Sequence, residues 1–348
     1  MSRPAFFISA AVLLAGLVGV PAQAVMKTKT PAKSVVKVYA PPKATGPLVP
    51  RKLDGLLTPK SVSNLYPIAV MIDNHTAARP QSGLNKASVV YETLAEGGIP
   101  RLMAIFGDTN VKVIGPIRST RPYFVQEAAE YNAIVVHAGG SPDGLQLLTK
   151  LRLPNFEGLT DPFAKYFMRL YAGDVHGLYT SMVNLWNAIG HTKLAGVVAK
   201  YQSWQFGPDA GLASRPNGKH GATIDFGYGR LYNVEWRYNK SKNYYERWVG
   251  GQKNTDRQNR QQLWAKNVII LNVPKEKVLD RQGRLDINVL GKGTGSLLQN
   301  GKVTAITWSK PSTRSRTVFK NKSGQEVTLL AGSTWIEIVP KGHPVKVY

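Results

Sequence analysis

Acids, arginines, histidines and one serine between residues 73 and 176 are the side chains that could do chemistry together. The candidates are Asp73, Glu92, Glu96, Arg118, Arg121, His137, Ser141 and His176. Carboxylates and imidazoles transfer protons when their surroundings bring the pKa close to neutral, and guanidinium groups bind anions through paired N–H donors. The set therefore predicts a polar pocket for an anionic ligand, with proton transfer as an alternative use.

Two arginines near a predicted helix start carry the anion-binding part of this prediction. Arg118 and Arg121 come just before Pro122–Tyr131, which is predicted as a helix. Free backbone N–H groups at a helix N-terminus attract anions, and arginine adds bidentate hydrogen bonds. The alternative is that one or both arginines form buried ion pairs with Glu92 or Glu96.

The sequence Gly139-Gly140-Ser141 follows a predicted strand and precedes a predicted helix, as a phosphate-cradling turn does. It lacks both the P-loop lysine and the dinucleotide-binding spacing. Ser141 as a nucleophile would need a base such as His137 within reach, and no G-x-S-x-G elbow is present. Ser141 is therefore predicted to be a helix N-cap that also lines the pocket.

No metal or cofactor is predicted. The histidines and acids show neither the H-E-x-x-H spacing nor a carboxylate-rich calcium loop. The chain has no cysteine, which excludes disulfides, thiolate catalysis and cysteine-ligated zinc.

Four short apolar segments predict the strands that position these side chains. They are Ile68–Ile72, Ser88–Tyr91, Leu102–Phe106 and Ala133–Val136. Their composition is typical of strands buried on both faces of a sheet. Because ligand sites form where the ends of parallel strands meet their following loops, the polar side chains are expected around one pocket.

The 348 residues are enough for two domains with separate cores. The predicted fold class is α+β, with a mixed α/β domain built on a central sheet at residues 65–205. An antiparallel β-rich domain is predicted for residues 206–348. Short alternating segments and turn signals such as Gln299-Asn300-Gly301-Lys302 dominate that region.

Basic and aromatic residues are interleaved near the C-terminus. Lys310, Arg314 and Arg316 lie close in sequence to Trp308, and Trp335 follows. This mixture is typical of surfaces that bind polyanions or glycans, so the three basic residues are predicted to bind a polyanion. The alternative is that these are strand faces with the tryptophans in the core.

The first 64 residues are predicted to lie outside both domains. Residues 1–24 form a signal peptide, in which Arg3 precedes the apolar Ala5–Val20 and Ala22-Gln23-Ala24 is a cleavage site. The alternative is an uncleaved anchor, although the apolar core is short for a bilayer. Residues 25–64 are rich in lysine and proline and are predicted as a linker. We expect an exported protein with no transmembrane helix after cleavage.

The net charge of +24 at pH 7 is unevenly placed, with +2 for residues 61–200 and +14 for residues 201–348. A positive field attracts polyanions, which outside a cell include teichoic-type polymers and anionic glycans. Solubility is the alternative explanation. No helix-turn-helix, zinc-finger or RNP motif is present, so sequence-specific binding of nucleic acid is not expected.

Several motifs together resemble the YerB-like family of bacterial envelope proteins. They are Ile68–Asn74, Ala78–Leu84, Glu96-Gly97-Gly98, Gly115–Arg121, His137–Ser141, Gln299-Asn300-Gly301, Ile306–Lys310 and Thr334-Trp335. The resemblance covers about residues 60–340. It implies a two-part protein, often a lipoprotein, that faces outward from the membrane and assists cell-wall synthesis or wall hydrolases.

The chain departs from this family in two places. It has an A-x-A signal in place of the lipobox cysteine, which argues against a lipid anchor. Where the family usually reads Ala-Pro-His-Asn, this chain reads Asp174-Val175-His176-Gly177, so only the histidine is retained.

The leading expectation is an exported accessory or regulatory factor whose pocket binds a polar, anionic, cell-wall-related ligand. Its expected partners are wall polymers or anionic glycans, and cell-wall enzymes. The alternative is a hydrolase or transferase that acts on glycan or peptidoglycan through Glu92 or Glu96 and His137. A third expectation is a scaffold whose polar residues form internal salt bridges.

Overall fold

Residues 39, 42–107, 110–227 and 229–348 are described by the structure, which is a computed structural model. The predicted signal peptide, residues 1–24, lies outside the described residues. The same holds for residues 25–38, 40 and 41 of the predicted linker.

Strands outnumber helices in the described residues. The helices are α1 (Pro122–Glu130), α2 (Pro142–Leu151) and α3 (Met182–Gly190). The strands up to residue 200 are β1 (Leu48–Pro50), β2 (Leu57–Pro59), β3 (Ile68–Ile72), β4 (Val89–Leu94), β5 (Pro100–Phe106), β6 (Ile134–His137), β7 (Asn155–Glu157), β8 (Met168–Arg169) and β9 (Leu178–Tyr179). The later strands are β10 (Phe206–Gly207), β11 (Gly221–Ile224), β12 (Val234–Asn239), β13 (Tyr244–Val249), β14 (Gln252–Lys253), β15 (Trp264–Ala265), β16 (Asn267–Val273), β17 (Lys277–Val278), β18 (Leu285–Asp286), β19 (Gly291–Gln299), β20 (Lys302–Lys310), β21 (Val318–Lys320), β22 (Leu329–Leu330), β23 (Thr334–Pro340) and β24 (Val345–Val347). The protein is therefore mostly β.

A ten-stranded sheet of the described residues contains strands from both halves of the chain, in the order β21-β20-β19-β16-β23-β4-β5-β3-β6-β7. The two halves meet where β23 pairs with β4 in parallel, with Trp335 opposite Val90. β23 also pairs in parallel with β16. This differs from the purely antiparallel C-terminal region that the sequence predicts. Every residue of β23 is buried, as expected for a central strand covered on both faces.

A second, six-stranded sheet packs against this one and consists of β11 to β15 together with β24. Along β13 the side chains alternate between the interior and the solvent side. Tyr245, Arg247 and Val249 point inward. This register places the guanidinium group of Arg247 in the core beside the large sheet.

The end of the predicted linker is folded. β1 and β2 form an antiparallel hairpin, and Arg51 and Asp54 between them form a buried ion pair with a 2.6 Å N–O distance. The Ser88 hydroxyl donates to Asp54 Oδ2 at 2.6 Å, which fixes this segment to the start of β4. Lysine and proline content alone predicts disorder, but it does not reveal such a local ion pair.

Two further segments differ from what their apolar patterns predict, namely a strand at Val111–Ile114 and a helix at Phe163–Tyr171. The segment Val111–Ile114, predicted as a strand, contributes only an isolated bridge from Ile114 to Thr180. Phe163–Tyr171, predicted as helical, contains one 3-10 turn and β8. Its aromatic rings pack on the core from this irregular segment, as Phe163 does on Phe156 at 4.5 Å between centroids.

Within the described part of the chain, no helix has the length and apolar character needed to cross a membrane.

Candidate functional site

A cleft of about 600 Å³ lies where the chain leaves β3 and enters α1 and α2. The predicted site residues that line it are Asp73, Glu96, Arg118, Arg121 and Ser141. Arg101, Arg284 and His75 line it as well. Side chains far apart in sequence therefore share one opening, and the arginines give it an excess of positive charge.

Backbone pairing fixes Arg118 at this cleft. Its N–H donates to the Met71 carbonyl at 3.0 Å, and its carbonyl accepts from the Ala138 N–H at 3.1 Å. Residues 117–121 are thereby held across the ends of the parallel neighbours β3 and β6. The Arg118 side chain is 32% exposed, and Nε lies 3.0 Å from Asp73 Oδ2. No group in the described part of the chain accepts a hydrogen bond from its two Nη atoms.

Glu96 is held between two arginines at the other side of the cleft. Arg121 Nε donates to Glu96 Oε1, and Arg101 Nη2 lies 3.4 Å from Oε2. Burial alone would raise the pKa of Glu96, but the hydrogen bond from Arg121 and the charge of Arg101 lower it below its usual value. Glu96 is therefore ionised at neutral pH and offsets part of the positive charge.

Asp73 connects the cleft to a pair of histidines. Its Oδ2 atom accepts from His176 Nδ1 at 2.7 Å and also forms the ion pair with Arg118. Its Oδ1 atom accepts from the His75 N–H at 2.8 Å. The rings of His75 and His176 stack with centroids 4.8 Å apart and planes 11° apart. His176 thus reaches the site through Asp73 and His75, which both line the cleft.

Ser141 is the N-cap of α2, as the sequence predicts. Its Oγ atom accepts from the Gly144 N–H at 3.2 Å. The turn into the helix depends on Gly139, whose φ of +67° lies in the left-handed region that favours glycine. The Gly139 N–H donates to both carboxylate oxygens of Glu157 at 2.9 Å, so an acid of this chain already occupies that donor.

Glu92 does not reach the cleft, which corrects its predicted place among the ligand-binding residues. It is fully buried, and its Oε2 atom accepts from Arg247 Nη2 at 2.6 Å and from Trp335 Nε1 at 3.3 Å. Its Oε1 atom accepts from Asn74 Nδ2 at 3.1 Å. Its partners therefore come from both halves of the chain, Asn74 from the first and Arg247 and Trp335 from the second. No local sequence pattern connects Arg247, on β13, with Glu92.

Glu337 completes what we call the Glu92 cluster, namely Glu92, Arg247, Glu337 and Trp236. Trp236 Nε1 donates to Glu337 Oε1 at 2.8 Å. Burial first, and then the negative charge of Glu92, raise the pKa of Glu337 well above its usual value. This shift favours the neutral form of Glu337, so that Glu92 is the carboxylate that pairs with Arg247.

His137 is also corrected, because it lies beneath the cleft and not in it. The residue is 1% exposed. Its Nδ1 atom lies 3.0 Å from the Gly139 carbonyl oxygen, and Nε2 lies 3.3 Å from Asn155 Oδ1. Glu92 and His137 are thus both sealed away from the opening where Glu96 lies, and the proton-transfer pair of the predicted enzyme alternative is not assembled.

Lys310 is a third correction, because this residue, which was predicted to bind a polyanion, is fully buried. Its Nζ atom donates to Glu130 Oε2 and lies 3.5 Å from Glu127 Oε2. The hydroxyl of Thr317 also donates to Glu130 Oε2, at 2.7 Å. We call these four residues the Lys310 cluster. Helix α1 therefore turns both of its acids inward.

Arg314 and Arg316 line a different cleft of about 790 Å³, which also contains Lys200. Arg314 Nη2 donates to the Leu151 carbonyl at 2.5 Å, and Arg316 forms two hydrogen bonds with Glu326, at 2.5 and 2.9 Å. The tryptophans that accompany them in sequence, Trp308 and Trp335, are core residues.

Sequence reasoning missed Arg101 and Arg284 and left His75 out of the candidate set. A basic residue at the start of the apolar Leu102–Phe106 segment is a usable signal for Arg101, and His75 stands two residues after Asp73. Arg284 comes from the other half of the chain, so no local pattern connects it with the site. Among the described residues, no group of three or more histidine and acidic side chains is arranged to hold a metal ion.

The fold and cleft define a mostly β protein with two parts that share one large sheet. Comparison with known families agrees with two parts. Residues 53–195 match the family described as "Protein of unknown function (DUF3048) N-terminal domain", and residues 223–336 match its C-terminal domain.

A relative with a similar sequence is "Putative lipoprotein YerB" of Bacillus subtilis (strain 168). It is 32% identical over 289 residues, which cover 83% of this chain and 85% of the relative. A crystal structure of the YerB protein from Bacillus subtilis is similar at a TM-score of 0.73 and 30% identity, covering 87% of this chain and all of that one. The chain therefore belongs to the two-part, YerB-like DUF3048 family, as its motifs predict.

Proposed function

We propose that this protein is an exported accessory or regulatory factor of the cell envelope, and that its cleft binds an anionic group of a wall-related ligand. The observation that carries the proposal is Arg118. It is partly exposed and fixed by the backbone of β3 and β6, and no group within the described residues accepts a hydrogen bond from its two Nη atoms. Guanidinium donors in this state suit a carboxylate or phosphate group.

The surroundings of Arg118 support selectivity for a compact anion. Glu96 neutralises part of the charge of Arg101 and Arg121. The first turn of α2 contributes Pro142 and Ser141 to the lining, and helix N-termini favour negative charge. An anion at Arg118 would therefore experience a net positive field in which the other arginines are already oriented.

The proposed location rests on the predicted signal sequence and on the similarity to a relative. The A-x-A signal at residues 22–24 supports export, and a relative carries the word lipoprotein in its name. Because this chain has no cysteine, the proposal does not include a lipid-modified cysteine. Fractionation of cells that express the full chain tests this. The protein is expected outside the cytoplasm, and recovery with the cytoplasmic enzymes would contradict export.

Calorimetric titration of the purified full chain with inorganic phosphate, and in parallel with acetate, tests the binding. Removing a charged hydrogen-bond donor corresponds to an affinity loss of about 10- to 100-fold, so Arg118→Ala is expected to lose phosphate binding to that extent. Arg152→Ala is the matched control, because Arg152 is an exposed arginine at the opposite end of α2. Equal affinities of the two variants would contradict the proposal, and the acetate titration distinguishes a carboxylate site from a phosphate site.

A further inference from the structure

Asp73 and His176 have the geometry of a proton-transfer dyad. We propose that they hydrolyse a phosphodiester held by Arg118, an inference that rests on the proposed anion binding. Asp73 Oδ2 accepts from His176 Nδ1 at 2.7 Å and lies 3.0 Å from Arg118 Nε. One carboxylate oxygen therefore joins the anion-binding arginine to the imidazole.

Hydrogen bonding sets the tautomer of His176. A carboxylate only accepts, so in the neutral ring Nδ1 carries the proton and Nε2 keeps its lone pair. Asp73 is itself fixed, because Oδ1 accepts from the His75 N–H at 2.8 Å. His176 is fixed from its own loop, where its N–H donates to Asp174 Oδ1 at 2.8 Å. The dyad is thus oriented before any substrate binds.

His75 restrains the ring of His176 and supplies an N–H hydrogen-bond donor. Its Nδ1 atom accepts from the Ala77 N–H at 3.2 Å, so the proton of the neutral ring is on Nε2. Its ring stacks on that of His176, which restrains the plane of the base. The side chain of His176 is 15% exposed, so the stack is accessible to solvent at its edge.

The substrate class follows from the charge at the reacting atom. The ester of a carboxylic acid has no charge at its reacting carbonyl group, so the Arg118 site would not hold that group. A phosphodiester carries its negative charge on the oxygens of the reacting phosphorus centre itself. In the proposed step His176 Nε2 takes a proton from water while the water oxygen bonds to phosphorus. The bond from phosphorus to the leaving oxygen breaks on the opposite side of phosphorus, that oxygen takes a proton from solvent water, and Nε2 returns its proton to solvent. The products are an alcohol and a phosphomonoester, with no oxidant or co-reactant.

The test is release of nitrophenolate from bis(4-nitrophenyl) phosphate by the full chain. General acid–base groups contribute about 10²- to 10⁴-fold, so His176→Ala is expected to slow turnover by that range, and added imidazole is expected to restore part of it. His343→Ala is the matched control. His343 has the same 15% exposure and pairs with a carboxylate, Glu276, at 3.3 Å, yet Glu276 is not part of the cleft lining, whereas Asp73, the partner of His176, is.

The outcomes separate the dyad from the anion site. Phosphate binding without nitrophenolate release above the buffer rate would overturn the dyad and leave the proposed function standing. Release that persists in His176→Ala, or that falls equally in His343→Ala, would also overturn it. If the wild-type chain does not bind phosphate, that result would instead overturn the proposed function. Circular dichroism of each variant shows whether it is folded.

Discussion

Two glutamates on either side of the end of β4 have opposite surroundings, although they are only four positions apart in the sequence. Glu92 is sealed in the core with Arg247, and its partners come from both halves of the chain. Glu96 lies at an open cleft, where Arg121 and Arg101 share it. In the first region every charge is matched and water is excluded. In the second region arginine donors remain for a ligand.

Clustered charges identify a binding site only when some of their hydrogen-bonding groups are unpaired and accessible to a ligand. Buried charges need partners, so the Glu92 and Lys310 clusters are explained by folding alone. The cleft is not, because Arg118 keeps free Nη donors among the described residues. Structural and binding roles therefore divide between regions that the sequence presents as one set.

The largest expected effect is on the sealed side. Arg247→Met leaves the Glu92 and Glu337 carboxyl groups without a cation, and breaking such a buried pair costs about 3–5 kcal/mol of unfolding free energy. Urea unfolding measures it. The control is Arg237→Met on the neighbouring strand, where the side chain is 46% exposed, and a change below about 1 kcal/mol is expected. Similar losses of unfolding free energy in both variants would show that the buried ion pair contributes no more to stability than the exposed one.

A second effect is a pH dependence of stability from Glu127 in the Lys310 cluster. Burial raises the pKa of Glu127 to about 8, against the opposing charge of Lys310. The folded protein holds this proton up to that pH, whereas the unfolded chain releases it near the usual value. Stability from this group is therefore full in acid and falls as the pH rises to about 8, by up to about 1.4 kcal/mol per pH unit.

Glu127→Gln is the variant that isolates this dependence. Glutamine keeps the shape but carries no ionisable proton, so urea unfolding between pH 6 and 9 should show a flatter curve than the wild type. An unchanged curve would mean that Glu127 ionises normally in the folded state.

The smallest expected effect is on the open side. Glu96→Gln removes a negative charge from the cleft and releases Arg121 and Arg101, so phosphate affinity should rise by about 2- to 5-fold, in line with partly exposed ion pairs. Calorimetric titration at low ionic strength measures this change. Weaker binding in Glu96→Gln would show that the acid orients the arginines and that its charge matters less.

Local patterns predicted much of this molecule. The strand predicted at Ile68–Ile72 has the same bounds in the structure, and Ser141 caps α2 as its position suggests. Five of the predicted site residues share the cleft because β3 and β6 are parallel neighbours whose ends meet.

The rest depended on contacts between distant parts of the chain. Arg247 and Lys310 take their buried partners from strands and helices more than 150 residues away, so no spacing rule exposes them. The parallel entry of β23 beside β4 is of the same kind. Basic residues near tryptophans suggested a surface, but the pleat of β20 turns Trp308 and Lys310 to the same buried side.

The most direct test of the anion site at Arg118 is crystallographic. Crystals grown without other oxyanions would be soaked in selenate, and the anomalous scattering of selenium would locate the bound anion. We expect a strong peak within hydrogen-bonding distance of the Arg118 Nη atoms. Peaks only in the cleft of Arg314 and Arg316, with none at Arg118, would contradict it.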